Sequence, residues 1–363
     1  MNNCLDLFVS LSGVPINTVE DWEAFRRPEL INLLENYVYG VRPYEIPETL
    51  SFSQVTCENN WFDCGATFKH IDIGVNSHHF PVYIFVPDNA IGPVPTFLVI
   101  MNELRSLKYD FYKTVDYPHL PIREITKRGY AVAVMPTNSV SPDWELRGQF
   151  KKGIFNAIEP NTSRRTDRSW ATLSAWAFGA SRVMDYLETD IQIDHRNVAV
   201  IGHSRDGKAA LWTGATDQRV KMVISNSSGC GGAAYTRGKK GEHLKDINVS
   251  DWFCGNYHKY NNREEMLPVD QHMLLAIIAP RPLYIKSDDL DDWADPDAEF
   301  ACAKMASAVY ELYGIPGLIA PKQVEVGKAY HEGTIAYHRA PGDHNITQFD
   351  WNYYMDFADK YLK

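Results

Sequence analysis

Ser204 stands in "VAVIGHSRDGKAALW" (198–212), where an apolar run ends at Gly202 and a helix-like stretch follows within a few residues. A serine at such a corner can act as a nucleophile. A sharp strand-to-helix turn exposes its hydroxyl, and the N–H of the next residue, here Arg205, points at the oxyanion that develops during acyl transfer. The usual spacing is G-x-S-x-G, and in this chain the second glycine, Gly207, comes one residue late. The competing reading of the same serine is a cap for a helix that begins near Gly207. Arg205 and Lys208 would lie in the first turn of that helix, where positive charge opposes the helix dipole, so a ligand is expected beside them.

Serine attacks esters near neutral pH only when a histidine takes its proton and a carboxylate orients that histidine. In a strand–turn–helix frame of this kind the chain order is serine, acid, histidine. Among the twelve histidines, His344 lies in a Gly/Pro-containing loop just before a last aromatic-rich segment, the late position this order requires. His331 and His338 are rivals from the same region. The acid should follow the apolar run "RPLYIKS" (281–287), and there "DDLDDWADPDAEF" supplies a cluster of aspartates. Asp288 and Glu299 have the end-to-end spacing of a calcium loop, but Leu290 and Trp293 occupy positions that need a ligand and a glycine, which excludes that reading. A solvated loop with N-capping residues accounts for most of the other carboxylates.

These residues need a scaffold. Apolar runs bounded by turn residues occur at 79–87, 94–102, 130–136, 197–202, 220–226 and 281–287, with helix-like segments at 169–190, 207–217 and 299–314. Strands alternating with helices predict an α/β fold whose largely parallel sheet is covered on both faces, with ligands at the carboxyl ends of the strands. No Pro/Ser/Gly linker or repeat interrupts the chain, so one domain over 1–363 is expected. No apolar stretch reaches the roughly 18 residues of a membrane span. A net charge of −10 argues against a nucleic-acid partner. The six cysteines form no metal-binding spacing, and Cys57 with Cys64 could bridge or stay free.

The segments "GHSRDGK" (202–208), "SGCGGAA" (228–234), "LPVDQHMLLAIIAPRP" (267–282), "DDWADPDAEF" (291–300) and "GDHNITQFDW" (342–351) together resemble the bacterial glucuronoyl esterases, carbohydrate esterase family fifteen. The resemblance covers nearly all of the chain. It implies an α/β-hydrolase, a three-layer αβα sandwich, with Ser204 as nucleophile, His344 as base and Asp291 as acid, Asp292 and Asp289 being the alternatives. It further implies that Arg205 stabilises the oxyanion and that Lys208, Glu242 and Trp293 bind the sugar; a second oxyanion donor is left unplaced, with the region of Asn102 as a candidate. Two departures from the fungal members stand out. Ser227 occupies the position of their acidic residue, and His203 replaces their cysteine, so their disulfide cannot form.

The implied reaction is hydrolysis of the ester between (4-O-methyl-)glucuronic acid on xylan and an alcohol, without metal or organic cofactor. The expected partner is a glucuronoxylan or glucuronate ester, with no nucleic acid and no membrane, and the expected state is a monomer. An acetyl or feruloyl esterase and a glycan-binding protein without turnover are the alternatives. The polymeric substrate favours a secreted or periplasmic site, whereas the N-terminus "MNNCLDLFVSLSGVP" carries no basic region with a long apolar core and would suit a cytoplasmic one.

Overall fold

Side chains alternate in destination along every central strand of this protein, and the fold follows from that alternation. The computed structural model describes residues 5–42, 49–102, 114–117, 119–143, 150–159, 161–248 and 250–363. The strands of its main sheet are β1 (Leu50–Glu58), β2 (Ala66–Val75), β3 (His78–Pro87), β4 (Val94–Met101), β5 (Ala131–Pro136), β6 (Ile193–His203), β7 (Met222–Asn226), β8 (Leu283–Asp288), β9 (Ala329–Tyr330) and β10 (Ile335–Ala340). Their spatial order is β1-β2-β3-β5-β4-β6-β7-β8-β10-β9. From β5 through β10 neighbours in the sheet pair in parallel, while β1, β2, β3 and the edge strand β9 pair antiparallel.

Leu98, Ile100, Ala133, Val198, Val200, Val223 and Ile285 belong to one buried cluster, and Phe97, Val99, Val132, Ala199, Ile201, Ile224 and Tyr284 to a second one. Successive residues of a strand point to opposite faces, so a run that is apolar at every position must be covered on both. Helices α1 (Arg27–Leu34), α3 (Thr172–Leu187), α4 (Arg205–Thr216), α5 (Gln271–Ile277) and α6 (Pro296–Leu312) contribute to the first cluster. Helices α2 (Ile122–Lys127) and α7 (Gln348–Ala358) contribute to the second. The result is the expected three-layer αβα sandwich.

All six apolar runs read from the sequence are strands, each within a few residues of the stated bounds. The strands of the main sheet not read from it are β1 and β2, an outer antiparallel pair, and the late β9 and β10. β1 is largely exposed and its Ser, Gln, Thr and Glu residues give no apolar run to detect. Among the described residues no helix is long and apolar enough to cross a membrane. Cys57 and Cys64 are free thiols, so the bridge between them does not form.

Candidate active site

The turn after β6 is tighter than the helix-cap reading allows. Ser204 stands at the N-cap of α4, which begins at Arg205 rather than near Gly207, yet its hydroxyl makes no capping hydrogen bond. Its backbone is at φ 61° and ψ −126°, far from the extended conformation of an ordinary N-cap. Such a conformation costs a non-glycine residue about 1–3 kcal/mol. It is held in part by the Ser204 N–H, which donates to the Asn226 carbonyl at the end of β7, 2.8 Å away.

The two glycines make the turn possible. A Cβ on Gly202 would lie 2.1 Å from the Asp206 carbonyl oxygen, and one on Gly207 would lie 3.0 Å from the Gly202 carbonyl oxygen and 3.1 Å from Ser228 Cβ. The late glycine therefore serves the close approach of the first helical turn to the strand it has just left. Asp206 fastens the same turn to the neighbouring strand, accepting from the Asn102 N–H at 2.9 Å.

Asp291 and His344 arrive from two other strand ends. Asp291 follows β8, is buried, and its Oδ2 lies 2.6 Å from His344 Nδ1; His344 follows β10 and remains partly open to solvent. Burial opposes ionisation of Asp291, but the hydrogen bond and the charge of His344 outweigh it, so the carboxyl is held below the usual range. An ionised Asp291 accepts the Nδ1 proton and leaves the lone pair on Nε2. The His344 ring packs 4.6 Å, centroid to centroid, from that of His203, the residue before Ser204. Ser204 Oγ itself makes no hydrogen bond with His344, a looseness common in catalytic pairs before substrate binds.

The rivals are occupied elsewhere. His338 is buried, with Nε2 2.8 Å from Asp350 and Nδ1 2.9 Å from the Tyr284 hydroxyl. His331 bonds to the same hydroxyl, and burial pushes its proton affinity down to about 4. Asp292 is exposed, and neither it nor Asp289 is bonded to His344.

Arg205 and Lys208 both have acidic partners, which explains positive charge in the first turn without a ligand. The Arg205 guanidinium pairs with buried Asp143 and lies 4.7 Å above the Trp252 ring. Asp143 also accepts from Trp252 Nε1 at 2.7 Å and from Asn102 Nδ2 at 2.7 Å. With its N–H on Asp206 and its side-chain amide on Asp143, Asn102 is committed to holding this wall. Residues 103–113, which follow it, lie outside the described residues.

Lys208, which the resemblance assigns to the sugar, is held from within the protein. It is 3% exposed, and Nζ meets three acceptors of the protein itself: the carbonyls of Ser228 (2.7 Å) and Cys230 (2.5 Å) and Glu242 Oε2 (3.2 Å). An ammonium has three donors, so all are used. Glu242 in turn accepts from Trp293 Nε1 at 3.2 Å, and Trp293 is 55% exposed. Glu242 and Trp293 are thus brought together as the open part of the group, with Lys208 behind them.

Asp143, Trp252 and Glu299 were not legible in the sequence. Asp143 sits in "SPDW" and Trp252 in "SDWF", with no motif around either. Glu299 is buried in α6 and accepts from the Gly229 N–H (2.9 Å) and from Ser287 Oγ (2.6 Å). It belongs to the acidic run, whose members cannot be told apart by spacing alone.

A strained serine after β6, an Asp–His pair after β8 and β10, and the sheet order above define an α/β-hydrolase with a serine esterase type of site. Comparison with known proteins names the family. Residues 71–314 match the family model described as "Glucuronyl esterase, fungi". The chain is 37% identical to 4-O-methyl-glucuronoyl methylesterase 1 of Wolfiporia cocos, over 86% of this chain and 72% of that protein. The structure of a glucuronoyl esterase from Solibacter usitatus matches with a TM-score of 0.90 and 33% identity, covering 98% of this chain and 97% of that one. A promiscuous CE15 esterase from a marine bacterial metagenome matches with a TM-score of 0.87 and 36% identity, covering 99% and 96%. The chain belongs to the glucuronoyl esterases, carbohydrate esterase family 15, and is an esterase.

Proposed function

We propose that this chain hydrolyses the ester between the carboxyl of (4-O-methyl-)glucuronic acid, as carried on xylan, and an alcohol, through an acyl-enzyme on Ser204. The observation that carries the reading is the Asp291–His344 hydrogen bond at the strained Ser204 turn. Ser204 Oγ attacks the ester carbonyl as His344 Nε2 takes its proton. The oxyanion is met by the Arg205 N–H, a helix N-terminal amide with no partner inside the helix, and by the Arg205 guanidinium. Collapse breaks the ester bond, and the His344 proton goes to the departing alcohol oxygen. Water then attacks the acyl-enzyme with His344 again as base, which returns the serine and releases the uronic acid. Asp291 keeps the imidazole in the tautomer both steps need.

Glu242 accepts from a sugar hydroxyl and Trp293 offers its exposed ring to the sugar face, while Lys208 acts through Glu242 by fixing and charge-pairing it. The names of the Wolfiporia and Solibacter relatives support the uronate ester as substrate. The marine relative's description as promiscuous favours a second reading, that other carbohydrate or aryl acyl esters are also cleaved by the same triad. A polymeric substrate would place the working protein outside the cytoplasm.

The test is alcohol release from the benzyl or methyl ester of glucuronic acid, beside an aryl acetate, with Ser204→Ala as control. Preference for the glucuronate ester, lost in the variant, is expected. Preference for the acetate would replace this reading with the broader esterase, turnover retained in the variant would refute Ser204 as the nucleophile, and absent turnover on both would replace the reading with glycan binding alone.

A further inference from the structure

Strand β8 ends in Lys286-Ser287-Asp288, and its two charged residues are buried at 0% and 2% exposure. Two apart on a strand, they share a face, opposite Ser287, whose hydroxyl goes to Glu299. Lys286 Nζ pairs with Asp288 Oδ1, and it also donates to the Asn345 carbonyl at 2.7 Å and lies 3.4 Å from Ser227 Oγ. Asp288 Oδ2 accepts from Ser227 Oγ at 2.6 Å and from the Asn345 N–H at 3.3 Å. One peptide residue, Asn345, is thus gripped by both of its backbone polar groups, the carbonyl by the cation and the N–H by the anion of a single buried pair. Asn345 is the residue after His344.

A buried ion pair adds little to stability over well-packed apolar side chains of the same volume, because both charges must leave water. Its location therefore calls for another account. We propose that Lys286 and Asp288 are a positioning pair for the catalytic base: they fix the backbone beside His344 and so set the direction in which the imidazole meets the Ser204 hydroxyl. The inference rests on the reading of His344 as base. Ser227, which stands where the fungal relatives resembled carry an acid, serves here as the hydroxyl that orients Asp288. The pair touches no atom of the substrate, so its effect falls on proton transfer and not on sugar binding.

The experiment compares Asp288→Asn and Lys286→Met with the parent in three measurements: kcat and KM on the benzyl ester of glucuronic acid, the rate of Ser204 phosphonylation by a fluorophosphonate, and the thermal midpoint. A misdirected base is expected to lower kcat and the phosphonylation rate in parallel, by about 10- to 100-fold, with KM within about twofold of the parent. The double variant Lys286→Met/Asp288→Leu removes both charges with side chains of similar shape and leaves neither ion unpaired. It serves if the single variants do not fold, and it should regain stability without regaining kcat.

Folded variants with parental kcat, a loss confined to KM, or a double variant that recovers kcat together with its midpoint would overturn the proposal. Phosphonylation does not need the sugar pocket. A parent that is labelled at Ser204 but fails on the glucuronate ester refutes the substrate reading while the labelling rates still judge the pair. A parent that is not labelled refutes the base and the pair together.

Discussion

Ser204, His344 and Asp291 make separate demands on their surroundings, and each demand yields a measurement. If Ser204 is the nucleophile as proposed, Ser204→Ala is expected to lower turnover by roughly a million-fold. Asp291→Asn keeps the hydrogen-bond geometry but lets the amide donate to Nδ1, which favours the wrong tautomer. Its kcat should fall by roughly ten-thousand-fold with KM little changed. Glu242 tests specificity and not chemistry. A lost hydrogen bond to a charged group is worth about 1.5–3 kcal/mol, so Glu242→Ala should raise KM for the glucuronate ester by roughly ten- to a hundred-fold and leave an aryl acetate nearly untouched. Equal losses on both esters would show that Glu242 supports the fold of the site and not sugar recognition.

The β6–turn–α4 unit depends on backbone clearance. The Cβ of Gly202→Ala would press on the Asp206 carbonyl oxygen from 2.1 Å, and since that atom is backbone, strand and helix must separate. The contacts around Gly207 begin at 3.0 Å, and alanine improves helix propensity by about 1 kcal/mol there. Gly202→Ala is therefore expected to lose about 3 kcal/mol or more and Gly207→Ala distinctly less, as read from urea unfolding. The reverse order would mean that clearance at the turn is not what these glycines provide. The same unit shows why a helix start is hard to read from sequence. The run 207–217 has the helical composition, but the helix starts at Arg205 because Ser204 reverses the chain within a single residue.

Across the whole molecule, burial of Glu299 links folding to pH. Burial pushes its carboxyl up to about 7 from an ordinary 4.5, against the hydrogen bonds from Ser287 and Gly229. The unfolded chain gives up this proton as the pH passes 4.5, whereas the folded one keeps it to about 7. The unfolded state thus binds fewer protons in that window. The contribution of Glu299 falls as pH rises from 4.5 to 7, by on the order of 3 kcal/mol, and is level above it. Gln mimics the protonated acid, accepting from Gly229 and donating to Ser287. Glu299→Gln should unfold like the parent below pH 4.5 and be the more stable protein above pH 7. A constant difference across the range would show that Glu299 does not titrate there.

The division between sequence and tertiary structure runs through particular residues. Continuous apolar runs announced the doubly covered central strands, since only burial on both faces tolerates such a run, and the serine turn announced itself through Gly202 and Gly207. The order Ser204, Asp291, His344 followed from the topology that such a turn implies, with the choice of Asp291 resting on resemblance. Outer strands β1 and β2 escaped notice for different reasons: β1 is largely exposed and carries no apolar run, and the apolar residues of buried β2 are interrupted by Lys69, His70 and Asp72. Spacing alone could not separate Asp291 from Asp288, Asp289 or Asp292, nor reveal that Lys208 spends its three donors inside the protein. Those outcomes depend on which strand ends meet at the carboxyl edge of the sheet. Asp291 meets His344 from β10, Asp288 meets Lys286 and Asn345, and Lys208 meets the carbonyls after β7. The sequence determined which groups were available to react; only the packing of distant segments decided that Asp291 would face His344 and that Lys208 would face Glu242, because hydrogen bonds act over about 3 Å while these partners lie tens of residues apart in the chain.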